Sequence, residues 1–172
     1  MSEIKYKLID YNNFSELTKE TLIQVHDILK KEASWNDTFS EFKKRYTKSN
    51  FKNTKLFLVF ESTKLAGFIE GYSIGNKEFY AKSFYVSSEF RNKNIGTKLK
   101  GRVLAHLKKL GYKKYSDGLV VNPLVSKISD NLIKRRKKES LKKQPKLTFP
   151  YGFKDKGSIL FKNIKKRKPG KK

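Results

Sequence analysis

Between Phe84 and Val103 an apolar stretch passes abruptly into an arginine, two asparagines and a glycine, and then into a helical pattern. A helix that begins near Ile95 leaves its first backbone N–H groups without partners inside the helix, and these groups carry the positive end of the helix dipole. A phosphate placed there is bound by backbone donors without any side chain. We therefore expect this loop to bind an anion.

The residue types in the loop suit such an approach. Gly96 has no side chain to block an anion, and Asn92 and Asn94 belong to the non-glycine type that best tolerates positive φ. Arg91 and Lys93 add positive charge. On these residues alone, the alternative is an ordinary capped loop with a glycine in the first turn of the helix. The loop is neither a Walker A motif nor a Rossmann fingerprint, because it lacks the Gly-Lys-Ser/Thr ending of the first and the three spaced glycines of the second.

The composition excludes several kinds of site. There is no cysteine, so disulfides and thiolate metal sites are excluded. The two histidines, His26 and His106, lie far apart in sequence, and we expect no bound metal. No stretch approaches the roughly 20 apolar residues of a membrane span. The first residues lack the apolar run of a signal peptide, which predicts a cytoplasmic protein.

The net charge of +25 comes from 41 Lys and Arg residues against 16 Asp and Glu residues. An excess of this size favours anionic partners. Nucleic acid, a ribosome, an anionic membrane face and a phosphorylated cofactor all qualify. The alternative is a lysine-rich composition bias that involves no nucleic acid.

Apolar periodicity predicts the elements that must position the loop. A strand from Ile4 to Asp10 is followed by a helix with one apolar face and by a shorter helix that Thr38 and Glu41 cap. Short turns then join three strands into antiparallel hairpins. These strands run from Leu56 to Glu61, from Leu65 to Ile74 and from Glu78 to Val86.

After the loop, the spacing of apolar residues predicts a long helix from Ile95 that Gly111 ends. The last predicted elements are a strand at Tyr115 to Val121, a helix opened by Pro123, and two strands at Leu147 to Phe149 and Ser158 to Lys162. The order is β-α-α-β-β-β-α-β-α-β-β, a mixed α/β domain. We expect one domain over residues 1–161, with a basic insertion near 134–146, and a basic, disordered tail at 162–172.

With these elements in place, the loop resembles motif A of the GNAT superfamily of acyl-CoA-dependent N-acyltransferases. That motif has an apolar strand end, a Pro-Glu-Tyr-like turn, Arg/Gln-x-x-Gly-x-Gly/Ala and an apolar helix. The residues that match it are Phe84, Val86, Glu89, Phe90, Arg91, Ile95 and Gly96. Asn94 departs from the usual glycine. The element order, Asn122 after the fifth strand, and Gly152-Phe153 also agree, so the resemblance covers roughly residues 4 to 163.

The resemblance implies a GNAT-type fold, in which helices flank a sheet with antiparallel and parallel parts, and acetyl-CoA or a related acyl-CoA as cofactor. The pyrophosphate would lie on the N–H groups from Arg91 to Thr97, and the pantetheine would pair with the fourth strand. The cofactor-binding residues that it implies are Phe84, Tyr85, Val86, Arg91, Asn92, Lys93, Asn94, Ile95, Gly96, Thr97 and Asn122.

An amine must lose a proton, to a general base or a water chain, before it attacks a thioester, and an acid can protect the departing thiolate. Members of the family often use a carboxylate on the third or fourth strand and a tyrosine on the fourth helix. Here the candidate bases are Glu70 and Glu78, and strand parity places Glu78 on the same face as Phe84. Ser129 stands where the tyrosine is usual. Catalysis by positioning alone and a weak or inactive enzyme are the alternatives.

Positive charge is concentrated in the last third of the chain, where residues 134–172 hold 17 Lys and Arg residues against Glu139 and Asp155. This density predicts a surface that follows the phosphates of RNA or DNA. The alternative is a solvated helix face with a solubilising tail. The residues expected to bind nucleic acid are Lys134, Arg135, Arg136, Lys137, Lys138, Lys142, Lys143, Lys165, Lys166, Arg167 and Lys168.

Three hypotheses follow for the function. The first is an N-acetyltransferase that acts on a nucleic-acid-associated amine, such as an aminoacyl-tRNA, a ribosomal protein or a modified base. The second is an N-acetyltransferase with a small-molecule or protein N-terminal substrate. The third is a nucleic-acid-binding or structural protein that uses the fold without turnover.

Overall fold

A computed structural model of the protein describes residues 3–75 and 77–117, and the backbone of 158–160. The predicted elements that lie outside the described residues are the helix opened by Pro123, the strand at Leu147 to Phe149, the basic insertion and the tail. The elements are β1 (Ile4–Ile9), α1 (Lys19–Ala33), α2 (Phe39–Lys43), β2 (Thr54–Glu61), β3 (Lys64–Ile74), β4 (Glu78–Val86), α3 (Ile95–Lys109), β5 (Lys114–Asp117) and β6 (Ser158–Leu160), with 3₁₀ helices at Phe14–Glu16, Asn50–Lys52 and Ser88–Phe90.

The strands form one sheet in the order β1-β2-β3-β4-β5-β6. All neighbouring strands are antiparallel except β4 and β5, which are parallel, so the predicted mixed sheet is confirmed. One core lies between the sheet and α3, and a second lies between the other face of the sheet and α1 with α2. None of the described helices is long and apolar enough to cross a membrane.

Local sequence signals explain where the described helices begin and end. Thr38 and Glu41 form the predicted capping box, in which each side chain bonds the backbone of the other residue. The Thr18 hydroxyl accepts from the Thr21 N–H at the start of α1. Gly111 adopts a φ of 83° just after α3, which ends this helix at the residue that the sequence predicts. Short-range chemistry therefore fixes the start of α1, the start of α2 and the end of α3.

Strand β4 carries one more residue than the part of β3 that it pairs with. Glu70 pairs with Ser83 and Gly71 pairs with Ala81, so Lys82 has no partner residue in β3. An extra residue of this kind is a β-bulge. It shifts the alternation of side chains along β4 by one position.

The bulge corrects one expectation from the sequence. Phe79 before the bulge, and Phe84 and Val86 after it, pack into the same core beneath α3. Glu78, adjacent to Phe79, therefore lies on the opposite face, although simple parity placed it with Phe84 and Val86. The parity argument was wrong because it assumed an uninterrupted strand.

Gly71 lies beside the bulge and leaves no room for a side chain. A β-carbon there would lie 2.4 Å from the Tyr80 carbonyl oxygen and 2.6 Å from the Phe79 ring. We expect Gly71→Ala to lower the free energy of unfolding by about 1–3 kcal/mol. The matched control is Gly101→Ala in α3, where nothing lies within 4 Å of the added carbon, and it should raise that free energy by about 0.5–1 kcal/mol. Urea denaturation measures both, and a Gly71→Ala protein as stable as the wild type would contradict the close packing.

Candidate functional site

The connection from β4 to α3 turns sharply through two asparagines. Asn92 and Asn94 have φ values of 63° and 60°, in the left-handed region. This conformation costs most residues about 1–2 kcal/mol, whereas asparagine visits it more readily. The sequence-based expectation that these two positions make the turn agrees with the structure. The chain thereby passes from strand to helix within a few residues.

The start of α3 leaves three backbone donors without partners inside the helix. The first hydrogen bond of the helix runs from the Lys98 N–H to the Asn94 carbonyl oxygen at 3.0 Å. The N–H groups of Ile95, Gly96 and Thr97 precede it and have no partner inside the helix. No side chain within the described residues caps them, and the first turn contains no acidic residue. The residues present therefore fit a phosphate, because its charge meets free donors and the positive end of the helix dipole.

Arg91 differs from the expectation that it faces the anion. Its backbone N–H bonds the Ser88 carbonyl oxygen at 3.3 Å. Its Nε donates to the Val86 carbonyl oxygen at 3.1 Å, and its guanidinium bonds the Glu32 carboxylate of α1. Of the N–H groups from Arg91 to Thr97 on which the pyrophosphate was expected to lie, that of Arg91 therefore already has a partner in the protein. Arg91 instead ties the loop to the body of the protein.

Glu32 holds the loop from the side of α1. Its Oε1 accepts from the Ser88 N–H at 2.8 Å, and its side chain is only 8% exposed. Burial acts to raise the pKa of Glu32, but the hydrogen bonds from Ser88 and the charge of Arg91 outweigh burial and leave this pKa below its usual value. The sequence analysis missed Glu32, because near the end of a helix it has the pattern of a solvated charge.

We expect Glu32→Gln to lower the free energy of unfolding by about 1.5–3 kcal/mol, because it removes a charge-assisted hydrogen bond to Arg91. Since the pKa of Glu32 lies below its usual 4.5 in the folded protein, this contribution is present above pH 4.5 and is lost as the pH falls through the lowered value. Urea denaturation at neutral and acid pH measures both effects. Asp37→Asn is the control, because it removes the charge that pairs with Arg45 in an ion pair that is more exposed than the pair of Glu32 and Arg91. This variant should lose less than about 1 kcal/mol of unfolding free energy. Equal losses in the two variants would contradict the role of Glu32.

The edge of β4 that faces β5 extends toward the loop beyond the last pair with β5 that the described residues show. β5 pairs with β4 only from Glu78 to Ala81, whereas β4 continues to Val86. Among the described residues, no strand pairs with this edge of β4 beyond Ala81. This stretch of β4 is the one for which the resemblance to the family predicts pairing with the pantetheine. Phe84 and Val86 face the α3 core, so the backbone between them is held in place.

Tyr85 lies on the face of the sheet opposite to Phe84. Its ring packs 5.6 Å from that of Phe68, measured between centroids. Burial raises the pKa of Tyr85, so its hydroxyl stays protonated at neutral pH. Of the predicted cofactor residues on β4, Tyr85 thus packs its side chain into the core opposite to that of Phe84 and Val86.

Glu70 lies beside the bulge, on the face covered by α1 and α2. The Tyr46 hydroxyl donates to Glu70 Oε2 at 2.9 Å. Burial, followed by the charge of Glu70, raises the pKa of Tyr46 far above its usual value, so its hydroxyl stays protonated and able to donate to Glu70. Glu70 Oε1 has no hydrogen-bond partner among the described residues. The sequence analysis missed Tyr46, which has the pattern of an ordinary core residue after α2.

Glu78 lies at the start of β4, where it has two partners of its own. Its carboxylate pairs with the Lys114 ammonium at 2.8 Å and accepts from the Ser116 hydroxyl at 2.9 Å. It begins β4, so about 26 Å of strand separates it from Val86 at roughly 3.3 Å per residue. The structure therefore places Glu70, which pairs with Ser83, nearer to the loop end of β4 than Glu78.

A buried ion pair joins α3 to β5. The Lys100 side chain is fully buried, and its ammonium bonds the Asp117 carboxylate at the end of β5. The Tyr115 hydroxyl donates to Asp117 Oδ1 at 2.9 Å, and the Phe84 ring lies 5.9 Å from the ammonium. Burial, followed by the charge of Asp117, raises the pKa of Tyr115. One feature of the sequence could have drawn attention to Lys100: it is a lysine on the buried face of α3, four residues after Gly96.

Other predicted site residues lie outside the described residues. They are Asn122, Ser129 and the cations from Lys134 to Lys168 that are expected to bind nucleic acid. For metal, no cluster of ligand side chains is found within residues 3–75 and 77–117.

Solved structures share this fold. The ribosomal-protein-S18-alanine N-acetyltransferase from Escherichia coli is similar with a TM-score of 0.57 and 13% identity, over 74% of this chain and 76% of that one. The PaiA N-acetyltransferase from Thermoplasma acidophilum, in complex with coenzyme A, has a TM-score of 0.54 and 15% identity over 92% and 99%. An aminoglycoside acetyltransferase from an uncultured soil metagenomic sample has a TM-score of 0.54 and 15% identity over 88% and 97%. At these identities the likeness shows the fold alone.

Comparison with curated proteins finds no match in sequence. A family profile described as the acetyltransferase (GNAT) family, however, matches residues 22–123. These are more than half of the 172 residues, and they include β4, the turn through the two asparagines and α3. The resemblance seen in motif A is thereby confirmed. The chain belongs to the acetyltransferase (GNAT) family, whose cosubstrate is acetyl-CoA.

Proposed function

We propose that this acetyltransferase transfers the acetyl group of acetyl-CoA to an amine that is carried by nucleic acid or by a component of the ribosome. The observation that carries the transferase part is the start of α3 after the turn from β4, where no described side chain caps the first N–H groups. The excess of positive charge supports the class of acceptor. The two parts are tested by separate experiments.

Two described parts of the chain would hold the cofactor. The N–H groups of Ile95, Gly96 and Thr97 would bind the pyrophosphate, and the backbone from Phe84 to Val86 would pair with the pantetheine. Asn122 is the predicted third contact. When bound, acetyl-CoA supplies an acetyl group that is already activated as a thioester. The chain contributes position and charge.

Glu70 is the candidate general base that the geometry favours. Tyr46 holds one carboxylate oxygen, which leaves Oε1 to take a proton from the amine, directly or through water. Glu78 has both Lys114 and Ser116 as partners and lies at the far end of the strand. Ser129 is the candidate acid. The alternative is that this chain catalyses by positioning alone, or only weakly.

We expect Glu70→Gln to lower kcat by about 100-fold or more, the usual contribution of a general base. Glu78→Gln is the matched control on the neighbouring strand, and it should change kcat only slightly. Release of coenzyme A in the presence of the acceptor fraction measures both rates. Equal rates for the wild type and Glu70→Gln would show that no base acts at this position.

The charge argument addresses the acceptor. A net charge of +25 raises the local concentration of anions and repels cations. Polycationic acceptors, such as the aminoglycosides named for one of the similar structures, are therefore disfavoured. The fold is compatible with a ribosomal acceptor, since the S18-alanine N-acetyltransferase has it too.

The acceptor is tested by incubating the protein with labelled acetyl-CoA and a whole-cell extract, which is then separated into nucleic acid, ribosomes, other proteins and small molecules. We expect label in the first two fractions. Label only in small molecules would overturn the acceptor class while leaving the transferase intact. Acetyl-CoA binding by calorimetry with no label anywhere would favour the alternative, a nucleic-acid-binding protein without turnover.

Deletion of residues 162–172 tests the predicted nucleic-acid contacts. Each lost phosphate contact should reduce the slope of log affinity against log salt by about 0.7–0.9. RNA and DNA affinities measured at several salt concentrations give this slope. A tail of the same length made of serine and glycine is the control for length. A slope that stays unchanged after the deletion would show that the tail makes no phosphate contacts.

A further inference from the structure

A cleft of about 310 Å³ lies between β1, β2 and α3, away from the start of α3. Its floor is apolar and includes Leu8, Phe57 and Val103. Arg102, His106 and Lys109 of α3 line it as well. His106 lies about 16 Å along the helix from Ile95 at 1.5 Å per residue, so the cleft is separate from the cofactor loop.

Arg102 is the described arginine that lacks an acidic partner. Arg45 pairs with Asp37 and Arg91 pairs with Glu32, whereas no carboxylate within the described residues pairs with Arg102. Its guanidinium lies 4.0 Å from the centroid of the Tyr6 ring. Stacking holds the planar group in place and leaves its N–H donors free for a carboxylate or a phosphate.

The other cations around the cleft differ in their partners. Lys7 pairs with Glu16 at 3.2 Å, and Lys55 pairs with Asp10 at 3.7 Å. Lys109, like Arg102, has no acidic partner within the described residues. The cleft therefore holds two uncompensated positive charges beside an apolar floor.

His106 lies between these two charges along the helix. Its ring contacts Phe57 edge-on, with the centroids 5.9 Å apart. Burial, followed by the charge of Lys55, lowers the pKa of His106, while Asp10 acts in the opposite direction and Lys109 lowers it further. An anion bound in the cleft would offset these cations and raise the pKa of His106.

We propose that this cleft is a second binding site, for a small organic anion with a flat apolar body and one carboxylate or phosphate group. The body of the ligand packs on the apolar floor, and its acidic group accepts two parallel hydrogen bonds from the guanidinium of Arg102. Lys109 adds positive charge. The volume lies at the lower end of the range of ligand pockets, about 300–1,000 Å³, which fits a molecule with a single ring.

The two histidines give a direct test by proton NMR on the full chain. Benzoate and phenyl phosphate are the probes, and together they distinguish a carboxylate from a phosphate ligand. Inorganic phosphate lacks the apolar body, and benzyl alcohol lacks the charge. We expect at least one aromatic anion to shift the ring protons of His106 saturably and to raise its pKa. His26, which is buried and donates to the Asp37 carbonyl oxygen at 2.9 Å, should not respond.

Exposed variants on α3 identify the groups that bind. Arg102→Gln should weaken binding by about tenfold or more, the effect of one charge-assisted pair, and Lys109→Gln should weaken it less. Lys108→Gln removes an adjacent lysine that does not line the cleft, and it should leave binding unchanged. Coenzyme A affinity should be the same in Arg102→Gln as in the wild type, since Arg102 is remote from the loop. The proposal is overturned if no aromatic anion shifts His106, if benzyl alcohol shifts it equally, or if Arg102→Gln binds as tightly as the wild type.

Discussion

Gly96→Val is expected to weaken acetyl-CoA binding by about 100-fold, which corresponds to about 2.7 kcal/mol. Gly96 is buried in the first turn of α3, and the N–H groups around it are the proposed donors to the pyrophosphate. A branched side chain there would occupy the space that the phosphate needs and would separate it from two charge-assisted donors, each worth about 1.5 kcal/mol or more. Isothermal titration calorimetry with acetyl-CoA measures the loss.

The same substitution further along the helix controls for effects on α3 itself. Gly101→Val places the identical side chain where nothing lies within 4 Å of the new β-carbon, so binding should stay close to that of the wild type. Asn94→Gly keeps a left-handed turn accessible and should also bind normally. Thermal melting shows whether each variant is folded. A folded Gly96→Val protein with wild-type affinity would refute the assignment of the loop.

Asp117→Asn is expected to lower the free energy of unfolding by about 3–5 kcal/mol, because it removes the counter-charge that the structure shows for a fully buried ammonium. The change preserves the size of the side chain and an oxygen that can accept from Tyr115. The loss should therefore come from the charge of Lys100 and not from a cavity. Urea denaturation of the variant against the wild type measures it.

Two further variants test whether the loss of stability comes from the buried charge. Lys100→Met in the Asp117→Asn background removes the buried charge, and it should recover a large part of the lost stability. Glu16→Gln breaks the exposed pair with Lys7 and should cost less than about 1 kcal/mol. If the double variant is less stable than Asp117→Asn alone, the ion pair is not the source of the loss.

The parts of the fold that follow from short-range patterns were predictable from the sequence. The strands between Thr54 and Val86 are apolar runs joined by short turns, which predicts hairpins, and α3 has the spacing of an apolar helix face. The conformations of Asn92 and Asn94 also agree with the prediction, because tolerance of positive φ is a property of the residue itself.

The parts that depend on pairing between distant segments were not predictable. The bulge at Lys82 is a mismatch in length between two strands, and neither strand alone reveals it. Glu32 bonds an arginine 59 residues away, so no local pattern distinguishes it from a solvated charge. Lys100 lies on the buried face of its helix, which hinted at a partner, but Asp117 could not be chosen from the spacing alone.

The extra residue in β4 also affects how this gene can change over evolutionary time. Loss of the codon for Lys82 would keep the reading frame, yet it would make the strand regular. Either Phe79 and Ala81 or Phe84 and Val86 would then have to leave the core beneath α3. Point substitutions at Lys82, which is exposed, leave that arrangement intact. Related genes are therefore expected to vary in the residue type at this position while preserving the length of the strand.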